Sequence, residues 1–394
     1  MTRRFGGVPL RSFPVLRILL VRYGIALVAA FAVSSVAVTA VNWRLDAKVA
    51  GIDRVDVVLD DTERTAEAGN YLVVGSDSRE FANGDAEAAE AFGTNGGQRS
   101  DTIMIAHVEP DEKRVLVVSI PRDTVVTAPD GGESKITDVF NDGPQALIDA
   151  ITDNFGVPIN HYVNIDFAGF GELVDLVGPV TVHFNAAARD EQTGLDVPKS
   201  GCIPLDGEAA LAYVRSRHYE ENVYGEWIED PTSDFGRIRR QQAFLRQLAT
   251  LARDKVYSSP LDVPGIADAA LDTLQADEAF GRDQILGFVA AFRDVDVYDP
   301  SAVEMITLPV IAGPDGTELG SIQVLDEPAA GEVLARLRAF GPDASTTTDP
   351  TGTPDAPAGG TTPTTTTGST TTSVPLPDER RTPEGTPVAI CGDE

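Results

Sequence analysis

The sequence predicts an α/β (α+β) fold: a central, mainly antiparallel sheet flanked by helices, behind one N-terminal transmembrane helix. Three observations predict it. Residues 70–74 (NYLVV), 102–108 (TIMIAHV) and 114–120 (RVLVVSI) are rich in β-branched and aliphatic side chains and bounded by turn residues, the pattern of strands. Downstream, helix-like and strand-like runs alternate. Ahead of both, 21 residues from Tyr23 to Trp43 carry no charge, which is long enough to cross a bilayer as a helix.

The N-terminal run is preceded by five arginines (Arg3, Arg4, Arg11, Arg17, Arg22) and has Tyr23 and Trp43 at its ends. That pattern puts residues 1–22 in the cytoplasm and everything after Trp43 outside the cell membrane. A cleaved signal peptide is the competing reading, but the apolar core exceeds the usual length of such a segment, so an uncleaved anchor is expected. Residues 44–68 are acidic and polar and read as a juxtamembrane spacer, with the folded domain covering 69–340. Residues 81–98 form an Ala/Glu/Gly-rich loop between the first two strands. Residues 144–155 (PQALIDAITDNF) predict a helix, with Pro144 in its first turn and Leu147, Ile148, Ile151 and Phe155 on one face. HYVNID (161–166) predicts a strand, 167–177 an apolar helix, and Val180–Phe184 a strand after the Gly178-Pro179 turn.

Asp206 is a natural N-cap for the Ala-rich run behind it, a helix that delivers Arg215 and Arg217 near its C-terminal end. Ser233 or Asp234 then caps a long helix through about Arg253. On it Asp234, Arg237, Gln241 and Phe244 share one stripe, at spacings of three, four and three. That stripe is either a solvated i,i+3 ion pair or a functional face. Residues 264–274 and 280–292 read as amphipathic segments, Val303–Val310 and Ser321–Leu325 as strands, and 328–340 as a last helix. Residues 341–394 begin with a Thr/Pro/Gly/Ser-rich stretch that predicts a disordered tail.

Net charge is −30, and the first 44 residues hold six arginines and no acid; the remaining 25 basic residues therefore face all 61 acidic ones. So acidic a body excludes a nucleic-acid binder that works by general attraction. The four histidines (His107, His161, His183, His218) and two cysteines show no metal-ligand spacing, and no P-loop, G-x-G-x-x-G or G-x-S-x-G motif occurs. Cys202 and Cys391 both fall outside the membrane, where a disulfide across 189 positions (391 − 202) is expected, two separate thiols being the alternative.

What remains is carboxylates and arginines. Gly75-Ser76-Asp77-Ser78-Arg79, Arg99-Ser100-Asp101 and Pro121-Arg122-Asp123 each lie at the end of a strand-like run. In an antiparallel meander those ends share one rim, with strands about 4.8 Å apart. Two carboxylates can hold a divalent cation and several arginines can hold phosphate oxygens, which outlines a pyrophosphate-handling site.

Read in order, GSDSR, RSDT, SIPRD, LDGEAALAYVRSRH and DFGRIRRQQ resemble the motifs of the LytR-CpsA-Psr family, of the actinobacterial type, over residues 69–253. The resemblance implies a LytR-CpsA-Psr-like fold and a membrane-anchored phosphotransferase. Such an enzyme moves a glycopolymer from a polyprenyl-pyrophosphate carrier to peptidoglycan, forming a phosphodiester, with Mg²⁺ (or Mn²⁺) as cofactor. It implies Asp77 and Asp101 as metal ligands, and Arg79, Arg99, Arg122, Arg215, Arg217 and Arg237 as the pyrophosphate clamp. Gln241 and, less firmly, Arg240 join that clamp, and Asp234 either orients Arg237 or serves as base. The partners implied are the carrier-linked glycan, peptidoglycan and the membrane, without nucleic acid. A pyrophosphatase acting on the carrier would use the same residues, and a non-catalytic membrane-bound regulator is the reading from another class.

Overall fold

The computed structural model describes residues 43–60, 68–76, 100–259, 262–292, 295–314, 316–339 and 391. The proposed membrane span, the 81–98 loop and the tail short of Cys391 lie outside these, apart from Trp43. No helix among the described residues is long and apolar enough to cross a membrane. The chain divides into two compact units, residues 1–53 and 54–394, and the second carries everything that follows.

The expected strands are present. Gly69–Ser76, Ser100–Glu109 and Arg114–Ile120 form an antiparallel meander at the centre of a seven-stranded sheet. Across the sheet the order is Asp53–Val55, Leu274–Asp277, His161–Asp166, Gly69–Ser76, Ser100–Glu109, Arg114–Ile120, Val303–Thr307. The sheet is mixed rather than mainly antiparallel. His161–Asp166 runs parallel to Gly69–Ser76, and Val303–Thr307 runs parallel to Arg114–Ile120. In both cases helices intervene between the paired strands, so the second strand enters in the same direction as the first.

Alternation along the strands builds two faces. Leu72, Val74, Ile103, Ile105 and Val118 turn into the main core, which helices Pro144–Phe155 and Glu327–Arg338 close with Leu147, Ile151, Phe155 and Leu334. Tyr71, Val108 and Val115 turn the other way into a smaller cluster with Phe280 and Phe292. A second core joins helices Phe167–Val177, Gly207–Arg215 and Ser233–Ser258 to strands Val180–Phe184 and Gly201–Leu205. Two of these helices meet at glycines: a Cβ on Gly207 would lie 2.2 Å from the Gly171 carbonyl oxygen. Opposite Val180–Phe184, Cys202 forms a disulfide with Cys391.

Two boundaries differ from the sequence reading. Residues 54–60 belong to the folded domain and are not a spacer. Val55, Val57 and Leu59 pack on the main core, Asp60 N–H donates to the Ile159 carbonyl (2.9 Å), and Arg54 Nη1 donates to the Asp277 and Phe280 carbonyls (2.7 and 2.6 Å). The apolar period of two at 55, 57 and 59 was hidden by the acids between and after. The run Val303–Val310 is two strands, Val303–Thr307 and Val310–Ala312, because Pro309 has no N–H for the ladder.

Candidate functional site

The rim predicted from the three strand ends forms around one backbone irregularity. Gly75 pairs with Thr102 and Ser76 with Ser100, so Asp101 is the extra residue of a bulge. Asp77 follows Ser76 directly in the chain. Asp77, Arg79 and Arg99 lie outside the described residues, as does the side chain of Asp101. On the parallel neighbour Ser76 pairs with Asp166, and the Ser76 hydroxyl donates to Asn164 Oδ1 at 2.9 Å.

The long helix Ser233–Ser258 brings the other predicted residues to this rim. Gln241, buried, donates from Nε2 to Thr102 Oγ1 (2.9 Å) and to the Val214 carbonyl (3.1 Å). It thus joins the residue after Asp101 to the residue before Arg215. The neighbouring Gln242 reaches Ser119 Oγ at 3.0 Å, on the strand that ends two residues before Arg122. Asp234 makes an ion pair with Arg237, and Arg122 Nε stands 4.0 Å from Asp234 and 3.6 Å from Asp123. Asp123 in turn holds Lys135 Nζ at 2.9 Å. The result is a ribbon of alternating charge: Lys135, Asp123, Arg122, Asp234, Arg237. The stripe on this helix is not a solvated surface pair, since the Arg237 side chain is 1% exposed. Lys135 is a member that sequence reasoning passed over; a lone lysine after a short strand gave no signal.

Arg215 ends the helix Gly207–Arg215, whose N-cap Asp206 accepts from Ala209 N–H at 3.0 Å as expected. The turn that follows is built on a residue the sequence reading missed. Asp190, fully buried, accepts from Ser216 Oγ (2.7 Å), Arg217 N–H (3.1 Å) and His218 N–H (3.0 Å), as well as from Gln192 N–H (2.9 Å) in its own turn. Burial alone would raise the Asp190 carboxyl. The hydrogen bonds from Ser216, Gln192, His218 and Thr193 outweigh it and hold the group below the ordinary carboxylate range. The Arg217 side chain is half-buried and makes no hydrogen bond or ion pair among the described residues.

Arg240 is given a different task from the one expected. Its Nη2 donates to the Ser216 carbonyl (2.5 Å), its Nη1 pairs with Asp230 (3.2 Å), and its guanidinium lies over the Tyr219 ring at 4.6 Å. It therefore clamps the arginine turn to the long helix instead of facing substrate. Gly236 in the DFGR motif makes this possible, because a Cβ there would sit 2.2 Å from Asp230 Oδ2 and 3.1 Å from Arg240 Nη1. His218 turns toward Glu229, with Nδ1 and Oε1 2.9 Å apart. His107 and His161 are buried and engaged with Asn70 (2.8 Å) and Asp277 (3.2 Å), as expected of structural histidines.

The charge pattern and the order of motifs agree with one family. Its sequence profile, that of the LytR_cpsA_psr family, matches residues 35–339. This chain belongs to that family. Among curated relatives, the cell wall biosynthesis protein LcpA of Corynebacterium glutamicum is 30% identical over 261 residues, 58% of this chain and 48% of LcpA. The chain thus spans about half the length of that relative. The polyisoprenyl-teichoic acid–peptidoglycan teichoic acid transferase TagU of Enterococcus faecalis is 36% identical over 186 residues, 46% of this chain and 56% of TagU. Among solved structures, the LytR-Csp2A-Psr enzyme from Actinomyces oris superposes with a TM-score of 0.59 at 23% identity, over 73% of this chain and 96% of that one, which establishes the shared fold.

Proposed function

We propose that this protein transfers a glycopolymer from a polyprenyl-pyrophosphate carrier to a peptidoglycan hydroxyl. Its residues 1–22 lie in the cytoplasm, Tyr23–Trp43 cross the membrane, and the domain works outside. One observation carries the reading most directly. The Arg217 guanidinium, on a turn pinned by Asp190 and Arg240, has no protein partner among the described residues, and it is joined through one helix to the Arg122–Asp234–Arg237 ribbon. Family membership and the transfer named for TagU support it.

In the reaction, a phosphorus–oxygen bond within the diphosphate breaks on the sugar side of the bridging oxygen. A new one forms to the acceptor hydroxyl, whose proton is released, and the lipid leaves as its monophosphate. Arg217 and Arg215 hold non-bridging oxygens and spread the charge of a loose transition state. Arg122 and Arg237 supply further donors, with Asp234 keeping both guanidiniums oriented; its pairing with Arg237 favours that role over general base. Asp77 and Asp101 are the carboxylates that would hold Mg²⁺ or Mn²⁺: such hard cations take oxygen ligands, and the bulge sets Asp101 beside Ser76, to which Asp77 is bonded. The cation would neutralise diphosphate charge.

The test is incubation of the protein with lipid-pyrophosphate glycan, peptidoglycan and Mg²⁺. Phosphodiester-linked product and lipid monophosphate are expected, both lost on adding chelator. Release of the glycan phosphate into water, with no peptidoglycan adduct, would identify a pyrophosphatase instead.

A further inference from the structure

Between the arginine turn and the long helix lies a hairpin that the chemistry above does not use. Strands Glu220–Val223 and Glu226–Glu229 begin three residues after Arg217 and end five before Asp234. Their tip is Tyr224-Gly225, both at positive φ (56° and 93°), with Gly225 N–H donating to Asn222 Oδ1 at 3.0 Å. The hairpin is fixed to the domain through strand Ala188–Asp190, which also bears the Asp190 carboxylate that pins the arginine turn.

Cross-strand pairing sets Glu220 opposite Glu229 and Asn222 opposite Trp227 on one face. Arg189 joins that face: its Nε donates to Glu220 at 2.6 Å and its guanidinium lies 4.3 Å over the Trp227 ring, so the indole is held in place. Trp227 nevertheless remains 37% exposed, and Tyr224 at the tip is 90% exposed. A fixed, open indole ringed by carboxylates, a guanidinium and an amide is the constellation that binds a saccharide. The ring stacks on the apolar C–H face of a pyranose while planar polar groups take its hydroxyls.

We infer that this hairpin face is the acceptor subsite, holding a peptidoglycan glycan strand beside the arginine cluster. The inference rests on the transferase reading above. Charge selects the acceptor over the donor. Glu220, Glu221, Glu226 and Glu229 make the hairpin acidic, with Arg189 and His218 already paired to Glu220 and Glu229, so a phosphate-bearing donor is repelled while neutral sugar hydroxyls are welcome. Exposure selects it too, since a polymer cannot thread a buried site and needs an open platform.

The test is co-sedimentation of the full chain in detergent with purified peptidoglycan sacculi, alongside transfer kinetics. Trp227→Ala should weaken sacculus binding about tenfold, as an aromatic anchor does, and raise the acceptor KM, while the affinity for lipid-pyrophosphate glycan stays at the wild-type value. Tyr224→Asn removes the second ring, keeps a residue that tolerates positive φ, and should weaken binding in the same direction without disturbing the fold. Wild-type sacculus binding in both variants, or a change in donor affinity alone, would overturn the proposal. So would failure of the wild-type protein to bind sacculi. If wild type binds sacculi through these two residues yet transfers nothing, the acceptor platform stands and the transferase reading falls.

Discussion

Arg217 and Arg122 reach one cluster from different elements, and they are held by different means. Arg217 is positioned through its backbone: its own N–H and those of its turn converge on the buried Asp190 carboxylate, while Arg240 grips the Ser216 carbonyl. Its guanidinium is left with no protein partner among the described residues. Arg122 is positioned through its side chain, between Asp123 and Asp234 at 3.6 and 4.0 Å. The first arrangement preorganises a donor at no cost to its charge. The second stores the charge against carboxylates, and an incoming phosphate must compete with them. A site that uses both has a fixed half and an exchangeable half.

The largest effect expected is on the fixed half. Asp190→Ala strands the Ser216 hydroxyl and several buried N–H groups, and should destabilise the domain by about 3–5 kcal/mol, read as a lower urea midpoint. A variant as stable as wild type would show that Asp190 does not hold the turn. Next, Arg217→Ala should slow transfer about 100- to 1,000-fold, the usual loss for one charged donor in the transition state, with its melting curve nearly unchanged. A large drop in stability would mean that Arg217 is also structural, and the contrast with Arg122 would blur. On the exchangeable half, Asp234→Asn keeps the shape but weakens the pairing of Arg237, whose side chain is buried. It should destabilise by about 1.5–3 kcal/mol and slow transfer by a smaller factor than Arg217→Ala, since the arginines themselves remain. Equal rates for Asp234→Asn and wild type would remove Asp234 from the site.

The smallest effect concerns pH. Asp190 is held below its ordinary pKa, so the folded protein binds fewer protons there than the unfolded chain. Its contribution is therefore present above about pH 4 and is lost as pH falls through the lowered folded value. Asp190→Asn should flatten the acid limb of a melting-temperature-versus-pH curve. An acid limb identical to wild type would place the sensitive carboxylate elsewhere, with Asp230 and Asp277, also lowered, as the next to change.

Several elements could be read directly because their apolar periods fit only one structure. Pro144–Phe155 has its predicted bounds, with Leu147, Ile148, Ile151 and Phe155 buried, and the strands 100–109 and 114–120 bracket or equal their apolar runs. Leu274–Asp277 was passed over because LQAD is short and half polar. It is a strand only because Leu274 to Ala276 pair with His161–Asp166 and Asp277 caps the neighbouring Tyr162 and Phe280 N–H groups. The stripe Asp234, Arg237, Gln241, Phe244 was visible as a pattern, while its burial was not, since periodicity shows a shared face without showing what covers it.

The order of residue types along this chain determined the meander, the helices around it and the inventory of acids and arginines, because local propensity and period act over a few neighbours. Three-dimensional packing alone decided how those arginines are used. Arg240 became a clamp and Arg217 a donor with no protein partner among the described residues because a carboxylate at position 190, distant in sequence and silent in any motif, lies under the turn between them. Hydrogen bonds to a buried charge are satisfied by whatever the fold brings within 3 Å, and that proximity is a property of the folded chain.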